Sequence, residues 1–140
     1  MPRFIVLIKS NSQSEAGVMP AESEQGKMSA FNEDLVRAGV RLAAEGIQPS
    51  SKGARVTFTN GAAKVVDGPF AEAKELVAGF WILQCKSLDE CIEWIKRVPV
   101  NALPGGTGDG EIDILRLFDA EDFAEEQSEA STPAHNYRAQ

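Results

Sequence analysis

The chain has 140 residues, 43% of them hydrophobic and 25% charged, with a formal net charge of -7 at pH 7. This length and composition are those of one ordinary globular domain, which excludes a fibrous or globally disordered chain. An acidic chain without a basic stripe is not expected to bind nucleic acid directly, and no apolar run approaches the roughly 20 residues of a membrane span.

The acidity is concentrated near the C-terminus. Residues 119–140 hold six acidic side chains and one arginine. We therefore divide the chain into a folded domain at 1–118 and an acidic tail at 119–140, whose segment AEDFAEEQ fits one short helix. The apolar stretch that opens the chain is too short for a signal peptide and reads as a strand, so we expect a cytoplasmic protein.

The chain has two cysteines and one histidine. Cys85 falls in a predicted strand and Cys91 in a predicted helix, where two buried reduced thiols are favoured over a disulfide. The histidine, His135, lies in the tail, so no Ser-His-Asp or Cys-His centre is expected in the folded domain. These side chains and the carboxylates show no metal-ligand spacing, and we predict neither a metal nor another cofactor.

The first two predicted elements are a strand and a helix. RFIVLIK at 3–9 is apolar on both alternating faces, which is typical of a strand covered on both sides. A polar loop at 10–21 leads into a helix in which Gly39 predicts a kink or a close packing contact. The apolar positions of this helix are Met28, Phe31, Leu35, Val36 and Leu42.

A hairpin is the clearest local signal of the sequence. In ARVTFTNGAAKVV the dipeptide Asn60-Gly61 separates two β-prone runs and demands a tight turn with positive φ. The alternation of side chains predicts that Val56 and Phe58 face inward.

A second central strand, a second helix and a last strand complete the predicted domain. LVAGFWILQC is again apolar on both faces. SLDECIEWIKRVP opens with Ser87 as N-cap and Glu90 three residues later, the pattern of a capping box. EIDILRLF is the closing strand, and the glycine-rich loop before it lacks the phosphate-loop pattern.

The predicted order is strand, helix, hairpin, strand, helix, strand. It indicates an α+β fold of the ferredoxin-like class, a split βαβ sheet with two helices on one face and one short additional strand. Because the strands at 3–9 and 77–84 are apolar on both sides, the second sheet face needs a cover. We expect a homodimer that closes two sheets into an α+β barrel.

The segment DGPFAEAKE, between the hairpin and the second central strand, is the best candidate for a site. In a structural interpretation, Asp67 bonds the turn, Gly68 and Pro69 shape it, and Phe70 anchors it in the core.

In a functional interpretation, the same segment frames the mouth of a barrel. Lys74 then supplies a positive centre for an anionic small molecule, while Asp67 or Glu72 acts as a general base tuned by burial. A protein-docking surface is a third possibility, and the three stay open at this point. The candidate catalytic residues are Asp67 and Glu72, and the candidate ligand-binding residues are Lys9, Gly68, Pro69, Lys74 and Glu75.

DGPFAEAKE resembles the signature DGPFAETKE of the DGPF family, within the YCII-related proteins. Further segments are similar to that family from about residue 3 to 124, and the resemblance implies a dimeric α+β barrel. These segments are FNEDLVRAGVRLAAEGIQPS, VAGFWIL, SLDECIEWIKRVP and GEIDILRLFDAEDF.

The resemblance implies no particular reaction. Some YCII-related proteins pair a histidine with an aspartate in a cleft, whereas the histidine of this chain lies in the tail. Ala73 replaces the signature threonine, and Ala78 stands where the family often has glycine. The resemblance leaves two expected functions. One is binding of a small anionic metabolite in a cleft framed by DGPFAEAKE, with catalysis unassigned, and the other is an interaction module associated with an extracytoplasmic-function sigma factor.

Overall fold

The structure is a computed structural model, and it describes residues 1–123. Residues 120–123, the first four of the predicted tail helix, are helical, and the rest of the acidic tail lies outside the described residues. The strands are β1 Arg3–Lys9, β2 Arg41–Gly46, β3 Ala54–Thr59, β4 Ala62–Asp67, β5 Val77–Gln84 and β6 Ile112–Arg116. The helices are α1 Ser12–Glu15, α2 Glu22–Arg37 and α3 Leu88–Ile95, and short 3-10 turns lie at Ser50–Lys52, Ala73–Glu75 and Val100–Ala102.

Four strands form one antiparallel sheet in the order β2-β5-β1-β6. Strand β5 lies between β1 and β2, which are joined by α2, and β1 lies between β5 and β6, which are joined by α3. Two interleaved βαβ units of this kind make the ferredoxin-like α+β fold that the sequence predicts.

The edge strand β2 was missed by the sequence reasoning, which extended the preceding helix to Leu42. Helix α2 instead ends at Arg37, and Gly39 adopts a φ of 72°. The N–H of Gly39 donates to the Val36 carbonyl at 2.9 Å, and the N–H of Val40 donates to the Leu35 carbonyl at 3.1 Å. This is a Schellman motif, in which glycine ends the helix because a left-handed residue is required there.

The core lies between the sheet and the long helices. From β1 and β5 it takes alternate side chains, while α2 and α3 supply the opposite wall. The sheet contributes Phe4, Val6, Trp81 and Leu83, and the helices contribute Phe31, Leu35, Cys91 and Ile95.

The other face of the sheet is also apolar. On it Ile5 pairs with Ile82 and Leu7 with Phe80, and all four are half-buried. Leu115 of the neighbouring strand is 56% exposed on the same face. The two central strands are therefore apolar on both sides, as the sequence predicts.

The hairpin β3–β4 forms a two-stranded sheet of its own and adds no strand to the main sheet. Its turn is the predicted one, with φ of 51° at Asn60 and 81° at Gly61. The prediction that Val56 and Phe58 face inward is wrong for the single chain, because they are 51% and 69% exposed. Every residue of both strands is exposed. The alternation of side chains along the sequence therefore predicted that the two strands pair, but it did not predict which side chains are buried.

Candidate functional site

The DGPFAEAKE segment packs against the 3-10 turn at Ser50–Lys52. Gly68 follows β4 and its peptide bond to Pro69 is cis. A Cβ on Gly68 would lie 1.8 Å from the Ser50 carbonyl oxygen, so a side chain cannot be accommodated without moving the backbone. The glycine is therefore required by close packing against this turn, which is a reason that the sequence reasoning did not give.

Phe70 does not anchor this segment in the core, contrary to the sequence prediction. Its ring is half-buried, and the guanidinium carbon of Arg55 lies 4.1 Å from the ring centroid. The segment is held by this cation–π contact and by hydrogen bonds to the turn rather than by apolar burial, because the hairpin it follows stands away from the core.

The charged residues of the segment lie at the surface of the chain. Asp67, Glu72, Lys74 and Glu75 are all exposed, so the single chain does not provide the buried position that the general-base interpretation expected for the two carboxylates. The region between the hairpin and β5 where they were expected to gather is thus open to solvent.

Two of the predicted ligand-binding residues do come together. Lys9 and Lys74 both line a cavity of about 190 Å³, whose wall also includes Ser10 and Glu111. The Lys9 ammonium lies 3.7 Å from the Asp113 carboxylate, and the Lys9 side chain is 20% exposed. The structure thus joins the end of β1 to the DGPFAEAKE segment through a small lysine-bearing cavity, called here the lysine cavity.

A much larger cleft lies on the helix side of the sheet. It has a volume of about 1070 Å³ and is bounded by α2, by the β2–β5 edge, and by the loops at 17–20 and 46–49. The polar loop at 10–21 contributes Ser14, Gly17, Val18, Met19 and Pro20 to the wall of this cleft. No residue of 65–75 lines this cleft, and Ile8 and Pro104 line both it and the lysine cavity.

Small residues of the sheet opposite α2 leave room for the cleft. Ala44 and Gly46 of β2 pair with Trp81 and Gly79 of β5 on this face. Alanine and glycine leave empty volume where larger side chains would reach the helix. The sequence carries this signal in the stretches RLAAEG and VAG.

One hydrogen-bonded pair lines the cleft. The indole N–H of Trp81 donates to Oδ1 of Asn32 at 2.8 Å, and Nδ2 of Asn32 donates to the Met28 carbonyl at 3.1 Å. Because an indole can only donate, the Asn32 atom that faces it must be the oxygen. The amide is therefore fixed in one orientation.

The sequence reasoning missed Asn32, and it treated Trp81 as one of the apolar residues of the second central strand. Trp81 is indeed buried, and its ring meets that of Phe31 edge to face at a centroid distance of 5.8 Å. The available signal was a polar residue four positions after Met28, inside the apolar stripe of α2. A half-buried asparagine on such a stripe needs a partner.

The mouth of the cleft carries both apolar and charged side chains. Val18 and Met19 are 53% and 71% exposed on one side, and Ile47 is exposed on the other. The charged residues of the lining are Glu33, Arg37, Arg41 and Glu45. An apolar interior with mixed charges at its mouth suits an organic molecule that bears a polar group.

The two thiols lie apart from this site, buried between β5 and α3. Burial raises the pKa of Cys85, and burial together with the neighbouring Cys85 raises the pKa of Cys91 to about 12. Both cysteines are free, as the sequence predicts, and neither has the thiolate character that a nucleophile requires.

Within residues 1–123, histidine, cysteine and acidic side chains form no group of three or more that could hold a metal ion. Across the same residues, none of the helices combines the length and apolarity that crossing a membrane requires.

Residues 3–109 match the family model of the YCII-related domain. The chain belongs to this family. It is 32% identical over 111 residues to the uncharacterized protein R00369 of Rhizobium meliloti (strain 1021), a match that covers 77% of this chain and 88% of the relative.

Among solved structures, the chain is similar to 5-chloro-2-hydroxyhydroquinone dehydrochlorinase (TftG) from Burkholderia phenoliruptrix AC1100 in complex with 2,5-dihydroxybenzoquinone. The TM-score is 0.46 at 16% identity, with 86% of this chain and 97% of that chain covered. The narrower resemblance to the DGPF family stays a prediction.

Proposed function

We propose that this YCII-related protein binds a small organic molecule in the cleft between α2 and the β2–β5 edge. The main support for this proposal is a cleft of about 1070 Å³, whose lining includes the hydrogen-bonded pair of Asn32 and Trp81. Small-molecule sites are typically concave and mostly apolar, with volumes of about 300–1,000 Å³ and a few polar groups that fix the ligand's orientation.

Asn32 is the group best placed to recognise a polar atom of the ligand. Its oxygen accepts from Trp81, and one of its two amide protons goes to the Met28 carbonyl. The second proton is available to an acceptor such as a carbonyl or carboxylate oxygen. The half-buried apolar side chains around it, Met28 and Ile8 among them, favour a ligand with a flat or aliphatic body.

An anionic ligand is the finer form of the proposal. The positive groups that line the two spaces are Arg37 and Arg41 at the cleft and Lys9 and Lys74 at the lysine cavity. Because Ile8 and Pro104 line both spaces, the spaces adjoin, and a carboxylate on the ligand approaches the lysines from the cleft side. The proposal includes no catalytic step, and Asp67 and Glu72 line neither cavity.

A thermal-shift screen against small carboxylic acids, phosphates and aromatic metabolites tests the proposal. A ligand at 100 times its Kd contributes about 2.7 kcal/mol, enough to raise Tm by several degrees for a chain of this length. Ser29→Trp fills the cleft from an exposed position on α2 and should abolish the shift. Ser23→Trp, at an exposed α2 position that does not line the cleft, should keep it.

The lysines are tested separately in the same screen. If the ligand is anionic and reaches the lysine cavity, Lys74→Ala should reduce the shift that wild type shows. If the shift is unchanged in Lys74→Ala but lost in Ser29→Trp, the result would support binding in the cleft and contradict a contact between the ligand and the lysines. A screen without any shift in wild type would contradict the proposal as a whole.

We also propose a homodimer formed through the open face of the sheet. Its support is the row of half-buried apolar side chains Ile5, Leu7, Phe80 and Ile82, together with exposed Leu115. Apolar sheet faces of this kind are normally covered.

The second candidate function is an interaction module for an extracytoplasmic-function sigma factor. The feature that favours a protein partner is the exposed apolar side of the β3–β4 hairpin, where Val56 pairs with Val65 and Phe58 with Ala63. A pull-down with purified sigma factor tests it. Capture by wild type and not by Phe58→Ser would support this function, and no capture by wild type would reject it.

A further inference from the structure

The DGPFAEAKE segment contacts the turn that begins at Ser50, directly after the cleft wall at 46–49. The Ser50 hydroxyl accepts a hydrogen bond from the backbone N–H of Phe70 at 2.9 Å. The same hydroxyl donates to one carboxylate oxygen of Glu15, and the Ser50 backbone N–H donates to the other at 2.8 Å. A hydroxyl has one proton to donate and can still accept, so a single serine joins the two segments.

Glu15 and Ser50, two members of this hydrogen-bonded chain, each adjoin a wall of the cleft. Glu15 lies between Ser14 and Gly17, which line the cleft on one side. Ser50 directly follows Pro49, which lines it on the other. Hydrogen bonds to a carboxylate are about twice as strong as those between neutral groups, so this connection restrains the distance between the two walls.

At Gly68 the DGPFAEAKE segment packs closely against the same turn. The missing side chain of Gly68 leaves room for the Ser50 carbonyl, which a Cβ would meet at 1.8 Å. Its N–H also donates to the Gly53 carbonyl at 3.0 Å, at the far end of the turn. The segment therefore contacts the turn at both ends and fixes its position.

We propose that the hydrogen-bonded chain Glu15–Ser50–Phe70, called here the clasp, positions the cleft walls at 17–20 and 46–49 for the ligand. The DGPFAEAKE segment then supports the clasp and does not contact the ligand through its acidic residues. This inference rests on the proposed ligand-binding function. None of the three clasp residues lines the cleft, so they are positioning residues.

The test compares Ser50→Ala with Ser50→Thr, which restores the hydroxyl. The control is Ser87→Ala, which removes a hydroxyl that accepts from the Glu90 N–H at 3.1 Å on α3, outside the cleft. Anilinonaphthalenesulfonate, an apolar anion, serves as the fluorescent probe. The part of its binding that Ser29→Trp removes is the cleft component.

Hydrogen exchange gives a second readout that needs no ligand. The Val18 N–H donates to the Gln13 carbonyl at 3.0 Å in one wall, and the Ile47 N–H donates to the Ala78 carbonyl at 2.8 Å in the other. Exchange of these two amides reports on how firmly each wall is held.

In Ser50→Ala we expect the cleft component to weaken about fivefold or more, at the lower end of typical coupling between linked sites. The Val18 and Ile47 amides should exchange faster, and Ser50→Thr should restore both properties. Ser87→Ala should lower Tm and change neither. The clasp is rejected if Ser50→Ala leaves affinity and exchange unchanged, or if Ser87→Ala produces the same losses.

Failure of the proposed function would look different. If wild type and Ser29→Trp bind the probe equally, the probe does not occupy the cleft and the proposed function is contradicted. Exchange of Val18 and Ile47 in Ser50→Ala then still decides whether the clasp holds the two walls.

Discussion

The indole N–H of Trp81 donates a 2.8 Å hydrogen bond to Oδ1 of Asn32, which joins the buried strand β5 to the helix that covers the cleft. Trp81 is only 2% exposed, so its N–H has no water to replace this partner. This hydrogen bond holds α2 on the sheet, and it also fixes the orientation of the Asn32 amide.

Replacing Asn32 by leucine should therefore leave a buried donor unsatisfied. We expect the free energy of unfolding to fall by about 1–3 kcal/mol, measured by urea denaturation. Asn32→Asp keeps an acceptor oxygen at nearly the same place and should lose clearly less. Equal losses in the two variants would show that this hydrogen bond does not account for the effect.

Replacing glycine by alanine should have opposite effects on stability at Gly68 and at Gly26. Gly68→Ala places a methyl group against the backbone of Ser50 and should destabilise by about 1–3 kcal/mol. Gly26 lies inside α2 with nothing within 4 Å of a built Cβ, so Gly26→Ala should stabilise by up to about 1 kcal/mol. Thermal melts measure both, and a neutral Gly68→Ala would contradict the close packing.

The raised pKa of Cys91 predicts that the protein loses stability at alkaline pH. Burial, with Cys85 and Glu90 adding to it, raises its pKa from 9.0 to about 12. Between these values the unfolded thiol loses its proton while the folded one keeps it, so the free energy of unfolding declines as pH rises above 9.0. Cys91→Ala should show a shallower decline in denaturation series on either side of that pH, and identical slopes would contradict the shift.

The thiol reagent DTNB gives an independent check on both cysteines. Because Cys85 and Cys91 are fully buried and their thiols hold their protons, native protein should react negligibly near neutral pH. Denatured protein should release two equivalents, one for each cysteine. Rapid labelling of the native protein would show that one of them is accessible.

The proposed homodimer is tested by sedimentation. Leu7→Lys introduces a charge into the centre of the open sheet face and should convert a dimer into a monomer. Leu88→Lys adds the same charge at an exposed position of α3 and should remain dimeric. A wild-type monomer at micromolar concentration would reject the dimer.

Much of the fold could be predicted because its signals are local. Apolar alternation on both faces identified β1 and β5, Ser87 marked the start of α3, and Asn60-Gly61 marked the hairpin turn. The edge strand β2 could not be separated from the helix before it, because the apolar pattern continues through Leu42 and only a positive φ at Gly39 ends the helix.

The site was harder to predict because it depends on what the fold leaves empty. The sequence drew attention to the charged DGPFAEAKE segment, whereas the large cleft is made by small residues such as Ala44 and Gly79. Lys9 and Lys74, 65 positions apart, line one small cavity, and their role in ligand binding stays a prediction. The contact between Glu15 and Ser50 depends on tertiary structure and has no local signal.

The most direct test of ligand binding in the cleft is a ¹H–¹⁵N correlation spectrum of the protein titrated with the tightest compound from the thermal-shift screen. We predict the largest shifts at the indole N–H of Trp81, the side-chain amide of Asn32 and the backbone amides of Ala44 and Gly79. Shifts confined to residues 67–75, with the Trp81 and Asn32 signals unmoved, would contradict this prediction and place the ligand at the DGPFAEAKE segment instead.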